Sequence, residues 1–71
     1  MADDVRKRFG RRLRGLRLRL GLTQVELAER LGIDRSYLAD IERGNRNVSL
    51  VNLELIAKGF NLTLSRLLAG V

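Results

Sequence analysis

This chain of 71 residues predicts an all-α fold of five short helices. Three observations carry that prediction. Leu dominates the apolar residues, aromatics make up only 4% and Pro is absent, a balance that favours helix over strand. Apolar residues recur three and four positions apart, and no segment alternates with period two. Gly, Asn and the capping residues Ser, Thr and Asp punctuate the chain at intervals suited to short helices.

The first helix is expected over about residues 5 to 20, with Phe9, Leu13, Leu16 and Leu20 on one stripe. Gly10 and Gly15 interrupt it, each costing about 1 kcal/mol relative to Ala. Leu18 points off the stripe and is expected to be exposed, whereas Arg17 lies on its flank, partly buried and paired. The second helix starts after Thr23, because Thr23 and Glu26 have the spacing of a capping box. Leu27, Ala28 and Leu31 form its inner face, and Gly32 ends it through a left-handed backbone. Asp34 caps a third helix over residues 35 to 43, with Leu38 and Ile41 inward and Gly44 closing it. After the loop NRNV, Ser49 caps a fourth helix over about residues 50 to 60, with Leu50, Leu53, Ile56, Ala57 and Phe60 inward. Asn61 suits its left-handed end, and Thr63 caps a short fifth helix over residues 64 to 69. With no linker, repeat or low-complexity stretch, residues 1 to 71 read as a single domain with its core at about 5 to 69.

Composition narrows the function. A domain of this size buries only about 60% of its unfolded surface, so its stability is marginal. Cys and His are both absent. That excludes disulfides, thiolate zinc sites, imidazole bases and Ser-His or Cys-His nucleophile pairs. No clustered carboxylate pair takes their place, so no catalytic residue, metal or cofactor is expected. The longest apolar runs are about four residues, too short to span a membrane. MADDVRKRFG has no apolar signal core, so a soluble cytoplasmic protein is expected. For the same reason the glycosylation sequons NVS at Asn47 and NLT at Asn61 carry no weight.

The net charge is +6. Arg6, Lys7, Arg8, Arg11, Arg12, Arg14, Arg17 and Arg19 crowd residues 5 to 19 with no acidic residue among them. Such density points to a polyanionic partner, nucleic acid or an acidic membrane surface, with a solvated helix face as the plain alternative.

Two helices of about eight residues joined by a Gly-led turn are the helix-turn-helix signature. LRGLRLRLGLTQVELAERLGIDRSYLADIERG and SLVNLELIAKGFNLTLSRLL resemble the core pattern and the last two helices of the lambda-repressor-like (Cro/CI, XRE-type) DNA-binding domains, over about residues 9 to 68. DRSY followed by IERGNRNVSL most resembles the small controller proteins of restriction-modification systems. The resemblance implies a compact five-helix domain with the helix-turn-helix in helices two and three. It further implies a homodimer that binds double-stranded DNA at a palindromic operator and regulates transcription. No small-molecule ligand is expected, since the chain offers no domain to hold one. A phage-type repressor or an antitoxin would use the same domain. A membrane-surface or protein-interaction module built on the basic first helix is the reading from another class. It gives no reason for DRSY behind a Gly turn.

In this frame the N-terminal end of the third helix enters the major groove. At 100° per residue Arg35, Ser36, Ala39, Asp40 and Arg43 share its outer face. Arg35 can give two parallel hydrogen bonds to guanine or clamp a phosphate; Ser36 can reach a base or a phosphate; Ala39 can approach a thymine methyl. Asp40 can accept from cytosine or hold Arg43 or Arg35 in place, the carboxylate being repelled by phosphates. Tyr37 can donate to a phosphate or simply pack, and Arg43 is placed on the DNA backbone. The resemblance carries Gln24, Arg46 and Asn47 over as backbone contacts and implies a partly buried salt bridge between Arg17 and Glu42. NVSL stands where many relatives have Pro, and Leu20 and Leu55 stand where many have Lys or Arg. The surplus apolar residues Val51, Leu55, Leu62, Leu64 and Leu67 are the expected dimer interface.

Overall fold

The computed structural model describes residues 4–71; residues 1 to 3 of the expected domain lie outside the described residues. Among the described residues the elements are α1 (Val5–Arg19), α2 (Gln24–Leu31), α3 (Arg35–Glu42), α4 (Leu50–Gly59) and α5 (Leu64–Leu67), with no strand. Each start is fixed by a side chain that accepts an orphan backbone N–H. Asp4 caps α1, Thr23 caps α2, Asp34 caps α3, Ser49 caps α4 and Thr63 caps α5. The α2 capping box is closed in both directions: the Glu26 N–H donates to Thr23 Oγ1 (3.1 Å), and the Thr23 N–H donates to Glu26 Oε1 (2.8 Å). That bond to the backbone N–H of Thr23 holds the Glu26 carboxyl below its ordinary pKa. At the other end Gly32 takes φ +71°, and the Ile33 N–H reaches back to the Ala28 carbonyl (3.0 Å).

The core comprises Phe9, Leu13, Leu27, Ala28, Leu31, Leu38, Ile41, Ile56, Ala57 and Leu67. Leu16, Leu53, Phe60 and Leu64 pack against its edge. α1 crosses α3 closely because Gly10 has no side chain. A Cβ there would lie 2.5 Å from the Glu42 carbonyl oxygen and 2.6 Å from that of Ile41. Gly15 faces open space, and its helix cost has no packing return.

Four sequence expectations are corrected. Leu20 is exposed, because α1 ends at Arg19 and the chain turns away at Gly21 (φ +69°). Leu50 shares the inward stripe of α4 by angle, but as the first helical residue it lies past the core and is 69% exposed. Leu67 is fully buried, so it belongs to the core and not to a surface interface. α5 stops at Leu67 instead of residue 69. The Arg66 and Leu67 carbonyls accept from Arg12, at 2.6 Å to its NH2 and 3.0 Å to its Nε, and Gly70 turns left-handed (φ +79°).

The basic run on α1 is also redistributed. Arg8 Nε donates to the Val71 carbonyl (2.8 Å), Arg12 holds α5, Arg6 pairs with Asp4 (2.8 Å) and Arg17 is buried. The Arg6 guanidinium depresses the Asp4 pKa to about 2. Arg8 and Arg12 therefore tie α1 to the C-terminal segment, and the charge density of the run alone does not mark a nucleic-acid surface.

Candidate nucleic-acid interface

The interface begins with a buried ion pair. Arg17 Nε donates to Glu42 Oε2 (2.7 Å) and its NH2 to Glu42 Oε1 (3.0 Å), a parallel two-bond arrangement that locks α1 to α3. The third nitrogen of Arg17 donates to the Leu22 carbonyl (2.9 Å), which brings in the turn before α2. The side chains are only 10% and 4% exposed, so the pair is shielded from screening. Hydrogen bonding to Glu42 raises the Arg17 pKa further above its ordinary value.

Gln24 extends this pair to the surface. Its Nε2 donates to Glu42 Oε1 (3.1 Å), which fixes the orientation of the amide. The opposite end, Oε1, then faces Arg35 and accepts from its NH1 (3.3 Å). Arg35 is exposed at the start of α3 and is braced through Gln24 to the core. A guanidinium carries five N–H donors, so one bond to Gln24 leaves the fork able to address a planar acceptor pair.

The next residues are equally constrained. Asp34 Oδ1 accepts both the backbone N–H of Ser36 (2.9 Å) and its hydroxyl (2.8 Å), and the backbone bond comes first in lowering the Asp34 pKa. The Ser36 hydrogen is thereby committed, and its oxygen presents an acceptor outward. Asp40 binds Arg43 through Oδ1 and Arg46 Nε through Oδ2 (3.3 Å). Of the two roles the sequence allowed it, holding arginines is the one these contacts fit, with each carboxylate oxygen facing a guanidinium. The partners are Arg43 and Arg46, not Arg35. Arg46 also lies over the Tyr37 ring, 5.3 Å from its centroid, a cation–π contact that no sequence pattern signals. The Tyr37 hydroxyl accepts from Asn52 Nδ2 (3.0 Å), another link the sequence does not reveal. Asn47 is exposed in the following loop.

Ala39 is a correction. It is 4% exposed and cannot reach a thymine methyl. The inner arc of α3 extends round through Glu42, which is tied to α1, and so takes in Ala39. The outer face is thus Ser36, Asp40 and Arg43, with Arg35 at its leading end and Arg46 beside it, while Tyr37 at its edge is partly buried and packs its ring against the core.

The geometry is two helices joined across Gly32, the second exposing a braced polar face. The helix-turn-helix family model matches residues 13–67. This chain belongs to the helix-turn-helix family, of the XRE type. It is similar to the control protein C.MunI of Mycoplasma sp, 44% identical over 97% of this chain and 95% of that protein. Among solved structures it is similar to the restriction-modification controller protein C.AhdI of Aeromonas hydrophila, with TM-score 0.82 and 47% identity over 87% of this chain and 94% of that one. It also resembles SinR, the master regulator for biofilm formation, solved in complex with DNA. There the TM-score is 0.77 and the identity 34%, over 84% of this chain and 97% of that one. As a helix-turn-helix protein this chain is a DNA-binding transcription regulator. No helix among the described residues is long and apolar enough to cross a membrane.

Proposed function

We propose that this chain is a dimeric controller-type regulator, a single domain acting in the cytoplasm on a palindromic operator and performing no catalytic step. The observation that supports this reading best is the relay from the buried Arg17–Glu42 pair through Gln24 to Arg35. A braced guanidinium at the tip of α3 loses little freedom on binding and suits two-bond contact with guanine O6 and N7. Ser36 adds an acceptor beside it. Tyr37, Arg43, Arg46 and Asn47 take the flanking phosphates, with Gln24 as brace and neighbour to the backbone. Asp40 keeps Arg43 and Arg46 in place.

A single recognition helix reads too few base pairs for selectivity in a genome. A second copy on a two-fold axis doubles the readout. To read successive major grooves on one side of a duplex, the equivalent helices of the two copies must stand about 34 Å apart, one turn of duplex. The interface is assigned to the face of α4 and α5. Val51 is 77% and Leu55 40% exposed, and two shallow hollows beside them share Val51 and Glu54. The half-buried Leu62 and Leu64 extend this face, and the exposed Leu50 adjoins it.

Fluorescence anisotropy with a palindromic operator and with random duplex tests the reading. Operators are found by selection from random sequence. Selective binding is expected, and affinity should fall with salt at a slope of about −0.9 per phosphate contact. Affinity indifferent to both sequence and salt would overturn the reading. A methyltransferase and an endonuclease encoded beside this chain are expected for the controller role; their absence would favour a phage-type repressor or an antitoxin.

A further inference from the structure

α2 and α4 open with the same local grammar. Thr23 and Ser49 are their caps, and each accepts from the N–H of the residue three positions on, Glu26 and Asn52. In α2 that residue closes the box by reaching back to the cap. Asn52 has a side chain too short and poor for helix formation at this position, and it turns elsewhere. Its Nδ2 crosses to α3 and donates to the Tyr37 hydroxyl (3.0 Å) in partly buried surroundings. α4 thus forgoes local helix stability, and the contact that replaces it falls on Tyr37, whose ring packs against the core edge.

We infer that Asn52 is a positioning residue for DNA binding: by donating to the Tyr37 oxygen it directs the phenolic hydrogen outward to a DNA phosphate. The inference rests on the proposed reading of α3 as the DNA face. A phenol has one hydrogen to give. With its oxygen engaged by an amide donor, that hydrogen has no inward acceptor at Asn52, and donation into the oxygen strengthens the O–H as a donor in turn. The ring packs against the core on one side, and Arg46, bound to Asp40, lies over its face, which favours this placement. Asn52 stands next to Val51 and one turn from Leu55 on α4. The helix assigned to dimer contact is therefore in direct touch with a DNA-contacting side chain.

Substitution at Asn52 leaves the cap of α4 intact, since Ser49 binds the backbone N–H and not the side chain. Asn52→Leu is neutral, of similar size and a better helix former, so its melting temperature should not fall below the parent's by more than a degree or two, roughly the scale of a few tenths of a kcal/mol. It should bind operator and random duplex about five- to tenfold more weakly, by a similar factor on both, as the loss of a phosphate contact requires. In a Tyr37→Phe background the same substitution should change affinity less than twofold. Asn52→Asp, which can accept the phenolic hydrogen and turn it inward, should lose more than Asn52→Leu, and part of that excess should vanish with Tyr37→Phe. Sedimentation of each variant at the assay concentration checks that the dimer is unchanged. Binding of Asn52→Leu within twofold of the parent, or a loss undiminished by Tyr37→Phe, would overturn the inference. A parent protein that binds neither duplex would instead strike at the DNA-binding reading itself.

Discussion

The face carrying α3 and the face carrying α4 and α5 are finished to different degrees. On the first, nearly every charged or amide group has a partner: Arg17 with Glu42, Gln24 with both Glu42 and Arg35, Ser36 with Asp34, and Asp40 with Arg43 and Arg46. On the second, Leu50, Val51 and Leu55 stand exposed beside open hollows. The difference separates two ways of preparing a surface. A polar surface that meets DNA gains from having its side chains ordered in advance, since their entropy is then not lost on binding. An apolar surface needs no such ordering, because burial is non-directional and proportional to area. On the proposed reading, the second copy supplies that burial.

The strongest test of the ordered face is its buried root. Arg17→Ala and Glu42→Ala should each cost about 3–5 kcal/mol by stranding a buried charge. The double variant should lose less than the sum of the two. Thermal or urea unfolding measures both, and strict additivity would show that the two side chains act separately.

The open face is tested by Leu55→Glu. Two-fold symmetry places the new charge twice in one interface, so association should weaken by about 2–3 kcal/mol while the monomer stays folded. Sedimentation equilibrium is the measurement; a variant as dimeric as the parent places the interface elsewhere.

Arg35→Ala should cost about 1–3 kcal/mol on operator and relax specificity at one base position in each half-site. If operator and random duplex lose equally, Arg35 serves a phosphate. The effects at two glycines of one helix should differ in sign. Gly10→Ala forces α1 off the backbone of α3 and should cost about 1–3 kcal/mol. Gly15→Ala meets nothing and should stabilise by about 0.5–1 kcal/mol. Equal shifts in melting temperature would mean that only helix propensity is at work.

Local chemistry was legible in the chain itself. The caps Thr23, Asp34, Ser49 and Thr63 and the turn at Gly32 depend on neighbours within four residues, and the structure has them where the spacing puts them. Arg35, Ser36 and Tyr37 could be placed at the start of α3 for the same reason. Tertiary packing decided what period and angle cannot see. Ala39 and Leu67 look available on a helical wheel but are covered by neighbouring helices, while Leu50 looks inward but overhangs the core. Gly10 reads as a defect in α1 until the carbonyls of α3 are seen against it. The basic run reads as one charged face until Arg8 and Arg12 are found on carbonyls of the C-terminal segment and Arg17 on Glu42, partners 63, 55 and 25 residues away in sequence. Helix period fixes the direction of a side chain relative to its own axis; which group stands opposite depends on how distant segments cross, and that is set by packing of the whole chain.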